Sequence, residues 1–198
     1  MEDIAINKYN FDLYDISPAS LPPKINLDSS LIDYIQAEFL FKCINDSGFS
    51  HPRLDLRYRA TRDGDNNFHN ICNGIKNNVV IIKAYETGAI FGGVSKNEWL
   101  SNGTYSNDSK AFLFSLTKFR KFPVQKAHWA TYNVEKVYSI VYGYPDDIKI
   151  FEGFLSNKKN MSKLGESYND PINPVEPNYL VDIANFTVEE IELFEMVF

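Results

Sequence analysis

Four side chains of this 198-residue sequence could carry acid–base or nucleophilic chemistry: Asp63, Ser167, Glu189 and Glu190. Two carboxylates sharing a cleft acquire separated pKa values and can divide the roles of acid and base. With a serine beside them the chain would be a hydrolase or a peroxide-handling enzyme, provided that all four converge in one concave pocket. Other chemistry has less support. His69 and Cys72 have a metal-like spacing, but only His51 and His128 accompany them, with no C-x-x-C or H-E-x-x-H, so no metal site is expected. Asp63-Gly64-Asp65-Asn66-Asn67 begins like a calcium loop and then fails, with Phe68 where that loop needs Gly and Gly74 where it needs Glu. A turn capped by aspartates is the better reading. A peroxide-reactive thiolate needs a helix N-terminus or nearby cations, and Cys72 lies late in a short expected helix. The phosphate-cradling and dinucleotide glycine motifs are missing, as is the G-x-S-x-G elbow, so no cofactor is expected.

The elements that must position these residues are mostly strands. Val79-Val80-Ile81-Ile82 is an uncharged β-branched run, which suits a strand buried on both faces. Glu86-Thr87-Gly88 is a turn signal and Ala89-Ile90-Phe91 resumes the apolar pattern, so the two strands are antiparallel neighbours. Gly92-Gly93 allows close backbone approach, a bend, or a positive φ at Gly93. Ala111 to Leu116 forms a second core strand. Trp99 and Tyr105, on the loop between, either stack on a ligand or pack the core. Leu54, Leu56, Tyr58 and Ala60 alternate with charged residues as one strand face. Val124–Tyr132, Val137–Tyr142 and Ile148–Phe151 read as further strands, with Asn133–Lys136 as a turn.

Residues 28–46 read as a helix capped by Ser30, with Leu31, Ile35, Phe39 and Cys43 on one stripe and Gly48 as its stop. Arg62-Asp63-Gly64 turns the chain into a short helix through Phe68 and Cys72. Lys118 to Pro123 is a basic, aromatic connector, either a solvated hairpin tip or a docking point for an acidic surface. In the last element, Phe186 and Val188 share one parity while Ile191 and Leu193 take the other. A β-bulge at Glu189-Glu190 would return all four to one face.

Length suits one domain, residues 27–198, preceded by an arm and proline-containing linker over residues 1–26. Such a domain buries roughly 70% of its unfolded surface and needs no staple. The net charge of −6, with both signs mixed, argues against nucleic acid as a partner. Cys43 and Cys72 read as reduced thiols. With no leader-like N-terminus and no apolar run of about 18 residues, a cytoplasmic protein without direct membrane insertion is expected.

Several pieces together resemble a known family. Phe91-Gly92-Gly93, then Trp99, then Gly103 with Tyr105, then Ala111 to Leu116 look like the TLDc domain, the module shared by oxidation-resistance proteins. The run Tyr58 to Gly64 with a following Phe68-His69, the pair Gly143 and Asp147, the segment Gly165-Glu166-Ser167-Tyr168 and the closing Val188 to Glu192 are similar to it as well. The likeness covers residues 30–198. It implies an α+β, mainly β fold: a sandwich of two antiparallel sheets flanked by helices. It also implies an interaction module without settled enzymatic activity, linked to oxidative-stress resistance through binding and regulating the vacuolar-type proton ATPase. Recruitment to endolysosomal or vacuolar membranes would then go through that partner. The motif residues to follow are Arg62, Asp63, Gly64, Phe91, Gly92, Gly93, Trp99, Tyr105, Gly165, Ser167, Tyr168, Glu189 and Glu190. Two alternatives stand beside this: the enzyme with an acidic site, and a scaffold whose specificity lies in residues 1–26.

Overall fold

The computed structural model describes residues 27–133 and 137–198. The arm over residues 1–26 and most of the turn at 133–136 lie outside them. In chain order the elements are α1 (Tyr34–Asp46), β1 (Arg53–Arg59), α2 (Ala60–Asp63), α3 (Phe68–Cys72), β2 (Asn78–Ala84), β3 (Ile90–Ser95), β4 (Thr104–Ser106), β5 (Phe112–Ser115), β6 (Arg120–Pro123), β7 (Thr131–Asn133), β8 (Tyr138–Tyr142), β9 (Ile148–Phe151), β10 (Asn160–Ser162), β11 (Asn185–Phe186) and β12 (Val188–Val197). Among the described residues they form two six-stranded antiparallel sheets, ordered β1-β12-β2-β3-β5-β6 and β11-β10-β9-β8-β7-β4. The α+β, mainly β sandwich is what the sequence and its resemblance lead one to expect.

One core lies between the sheets and includes Tyr58, Val80, Ile82, Phe91, Trp99, Tyr142, Ile150, Phe186, Val188, Ile191 and Leu193. A second lies under α1, where Leu40, Cys43 and Ile44 meet Val79, Ile81, Val94, Phe112, Phe114 and Phe194. The alternate residues of β2 divide between these two cores, so a strand with no polar face is required there. β2 and β3 pair antiparallel across the short turn, as expected. Close approach explains the glycines between them. A Cβ on Gly92 would lie 1.9 Å from the Val80 carbonyl oxygen, and one on Gly93 would lie 2.5 Å from Cζ of Tyr142. A positive φ is not what Gly93 supplies.

Bulges set the faces of the two strands at one edge. Val188 pairs with Ala84 and Glu190 with Lys83, so Glu189 is the extra residue and the expected bulge is present. It places Phe186, Val188, Ile191 and Leu193 in one core. β1 departs from the expected single face. Leu56 pairs with Phe194 but Tyr58 with Leu193, and the extra residue at Arg57 turns Tyr58 into the inter-sheet core while Leu54 stays under α1.

Three further expectations are corrected. The helix starts at Tyr34 with Asp33 as cap: Asp33 Oδ1 accepts from Gln36 N at 2.9 Å, and Gln36 Oε1 accepts from Asp33 N at 3.1 Å. Ser30 is not the cap because Glu192 takes it, and Ile35 of the expected stripe is exposed. Residues 124–130 are not strand; Gln125 N turns to the Ser167 carbonyl at 2.7 Å, and Ala127–Trp129 is a single 3-10 turn. The basic connector is no free tip. Lys118 Nζ donates to Tyr179 O at 2.6 Å and pairs with Asp182, Arg120 pairs with Asp170 at 2.6 Å, and Lys121 Nζ donates to Cys43 O at 3.1 Å.

Candidate functional site

The motif residues fall into separate places. The first is built on Asp147, 0% exposed at the end of the loop from β8 into β9. Its carboxylate accepts from the backbone N–H groups of Gly165 (3.0 Å), Glu166 (3.2 Å), Ser167 (3.0 Å) and Tyr168 (3.3 Å). Burial pushes this carboxyl up to about 6 in spite of those four donors. Ser167 Oγ donates to the Tyr144 carbonyl at 2.9 Å and accepts from Tyr144 N at 3.0 Å. Tyr168, also fully buried, donates its hydroxyl to Ala130 O at 2.6 Å. The Gly-x-Ser-Tyr segment thus clamps the β8–β9 connection; its serine is no base-activated nucleophile.

The second place is the bulged end of β12. Glu190, 6% exposed, accepts from Thr61 N at 3.1 Å, from the Thr61 hydroxyl and from Ile191 N at 2.9 Å. It thereby caps α2 from a neighbouring strand. Glu189 points out and pairs with Lys83 at 2.8 Å. Asp63 accepts from Arg59 N at 2.9 Å and from both Nε and Nη2 of Arg62 at 2.8 Å. The Arg62 guanidinium holds the Asp63 carboxyl below its ordinary value, and burial opposes this only in part. Gly64, at φ +85°, lets the chain leave α2 and accepts the Tyr58 hydroxyl on its carbonyl at 3.0 Å.

The third place is aromatic. Trp99 packs edge-on against Phe68 and Tyr142, and its Nε1 donates to the buried Asn78 at 3.1 Å. Phe91 meets Phe186 edge-on at 5.6 Å. These rings are core. Tyr105 is half-exposed on β4 and lies against Tyr132 at 4.7 Å.

A family model of the TLDc domain matches residues 25–197. The chain belongs to the TLDc family. No curated protein matches it. Within this TLDc domain, the motif residues that the resemblance brings forward are engaged in holding the sandwich together. Asp63, Glu189 and Glu190 share the β12 end but each has its own partner, while Ser167 belongs to the Asp147 clamp. The four do not form one acid–base site.

Sequence reasoning missed Glu192. Its side chain is 0% exposed and accepts from Arg59 Nε (2.8 Å), Ser29 Oγ (2.5 Å), Ser30 N (2.9 Å) and Ser30 Oγ (2.9 Å). The signal was the parity it shares with Glu190 and the apolar Phe194, which puts all three on one strand face. Thr61 and Asn78 were missed as well, since nothing local marks either one. Among the described residues no group of three or more His, Cys, Asp or Glu is arranged to hold a metal ion. His69 Nε2 donates to the Tyr138 carbonyl at 2.8 Å, and Cys72 is buried in the core. No helix among them is long and apolar enough to cross a membrane.

Beside the bulge an open groove of about 440 Å3 is lined by Thr61, Tyr85, Glu86, Leu155, Lys158, Thr187, Val188 and Glu189. Tyr85, at the hairpin after β2, is 70% exposed above it. A large aromatic ring held out at a rim of mixed charge suits contact with another protein.

Proposed function

We propose that this TLDc domain is a non-catalytic interaction module that serves oxidative-stress resistance by binding and regulating the vacuolar-type proton ATPase. The observation that carries the non-catalytic part is the separate engagement of Asp63, Glu189, Glu190 and Ser167. Each carboxylate or hydroxyl already has its own structural partner, and Ser167 belongs to a different loop cluster. The pump is proposed from membership of the family. The groove beside Tyr85 is the contact surface in this reading, because its rim exposes an aromatic ring beside Lys158 and Glu189. The protein acts in the cytoplasm and reaches the membrane through the pump.

The test mixes the purified chain with the purified peripheral sector of the pump and follows ATP hydrolysis. A change that saturates with added chain supports the reading. Hydrolysis that stays flat, while the chain alone turns over peroxide or an ester substrate, replaces it with the enzyme reading.

A further inference from the structure

Residues 28–30 are fastened to the sheet edge by one buried carboxylate and one arginine. Glu192 takes both serine hydroxyls and the Ser30 amide, while Arg59 bonds Glu192 and reaches Asp28 at its carbonyl (3.2 Å) and Oδ1 (3.3 Å). The fastening works only while the serines donate, because an ionised carboxylate only accepts. Ser30 is nonetheless exposed, in a stretch that is neither helix nor strand. The charged residues between 25 and 41 are Asp28, Asp33 and Glu38, all acidic. Leu27, Leu31 and Ile32, on both sides of the fastening, pack on the core beneath α1.

We propose that Ser30 is a phosphorylation site for an acid-directed serine kinase, and that its modification detaches residues 27–33 from the β1–β12 edge. In the transfer, the Ser30 oxygen bonds the γ-phosphorus of a nucleoside triphosphate. The bridging bond to the β-phosphate breaks, the diphosphate leaves, and the hydroxyl proton passes to the kinase base. The product carries close to two negative charges at neutral pH and has lost its donor. It then faces Glu192, which is fully buried. Arg59 is the cation already at this point, and it can neutralise the phosphate only by leaving Glu192 without its ion pair. Both outcomes break the fastening. Release frees Leu31 and Ile32 from the sheet and uncovers apolar surface under the start of α1. The inference does not rest on the pump reading, and its test does not involve the pump.

The test treats the folded full chain with ATP and an acid-directed serine kinase, then maps phosphate by mass spectrometry and amide exchange by segment. The expected result is one phosphate on Ser30 and exchange over residues 27–33 faster by about tenfold or more, with 79–82 unchanged. Ser30→Ala takes no phosphate and loosens the segment less, since it removes a donor without adding charge. Ser30→Asp loosens it more than Ser30→Ala does. The proposal is overturned if the kinase modifies a peptide of residues 24–37 but not the folded chain. It is overturned equally if Ser30 is phosphorylated and exchange over 27–33 does not change. Protection at 79–82 in each variant shows that the chain has folded.

Discussion

Asp147 fills the space where Gly143 would carry a side chain: a Cβ on Gly143 would lie 1.9 Å from Asp147 Oδ2. Gly143 also sits at φ +79°. The β8–β9 connection therefore closes over a buried carboxylate that in turn gathers four amides of the 165–168 segment. Gly143→Ala combines a clash with backbone strain and is expected to lower stability by about 3 kcal/mol or more. Urea denaturation of wild type and variant measures it, and an unchanged midpoint would mean that this loop is not closed as described.

The same carboxyl gives a pH dependence with a definite sign. Burial raises it from an ordinary 3.8 to about 6, so the folded chain binds the proton more tightly than the unfolded chain. Its contribution is fully present below pH 4 and is lost as pH rises through about 6, a change of roughly 3 kcal/mol. Wild-type stability should fall relative to Asp147→Asn across that window. A relative rise instead would mean that the four amide donors outweigh burial.

Glu190→Ala leaves Thr61 N and Ile191 N without their side-chain acceptor at a buried position, and it should cost about 1–3 kcal/mol. Glu190→Gln keeps one acceptor oxygen and should cost less. Thermal or urea unfolding of the two variants checks the order, and equal losses would show that the cap on α2 contributes little.

How much of this was legible in the sequence follows from the range of the interactions involved. β2, the turn and β3 were readable because β-branched composition and turn residues are local. The bulge at Glu189 was readable because the apolar parity breaks inside one strand. The bulge at Arg57 was not, since β1 alternates without a break and only pairing with β12 reveals the extra residue. The start of α1 was misplaced because Ser30, a good cap by type, is claimed by Glu192, 162 residues away. The strand expected over 124–132 is present only at Thr131 and Tyr132, and the rest failed for a similar reason: Ser167 O draws Gln125 N out of any sheet ladder. A motif does not say whether its hydroxyls and carboxylates face a ligand or each other.

Neither thiol should react in the folded protein. Burial pushes Cys43 up to about 11 and raises Cys72 further, so almost no thiolate forms at neutral pH. A disulfide reagent should find both thiols in urea and neither in buffer. Fast labelling of Cys72 in the native state would revive a direct peroxide-handling role.

The most direct test of the interaction reading is binding of the purified chain to the purified peripheral sector of the proton pump, by sedimentation or gel filtration. Tyr85→Ala belongs beside it, because a ring 70% exposed should change stability by no more than about 0.5 kcal/mol when removed. The account predicts a complex with the wild-type chain, weakened about tenfold or more by Tyr85→Ala. A chain that does not bind the sector at all, with the fold intact, would contradict it.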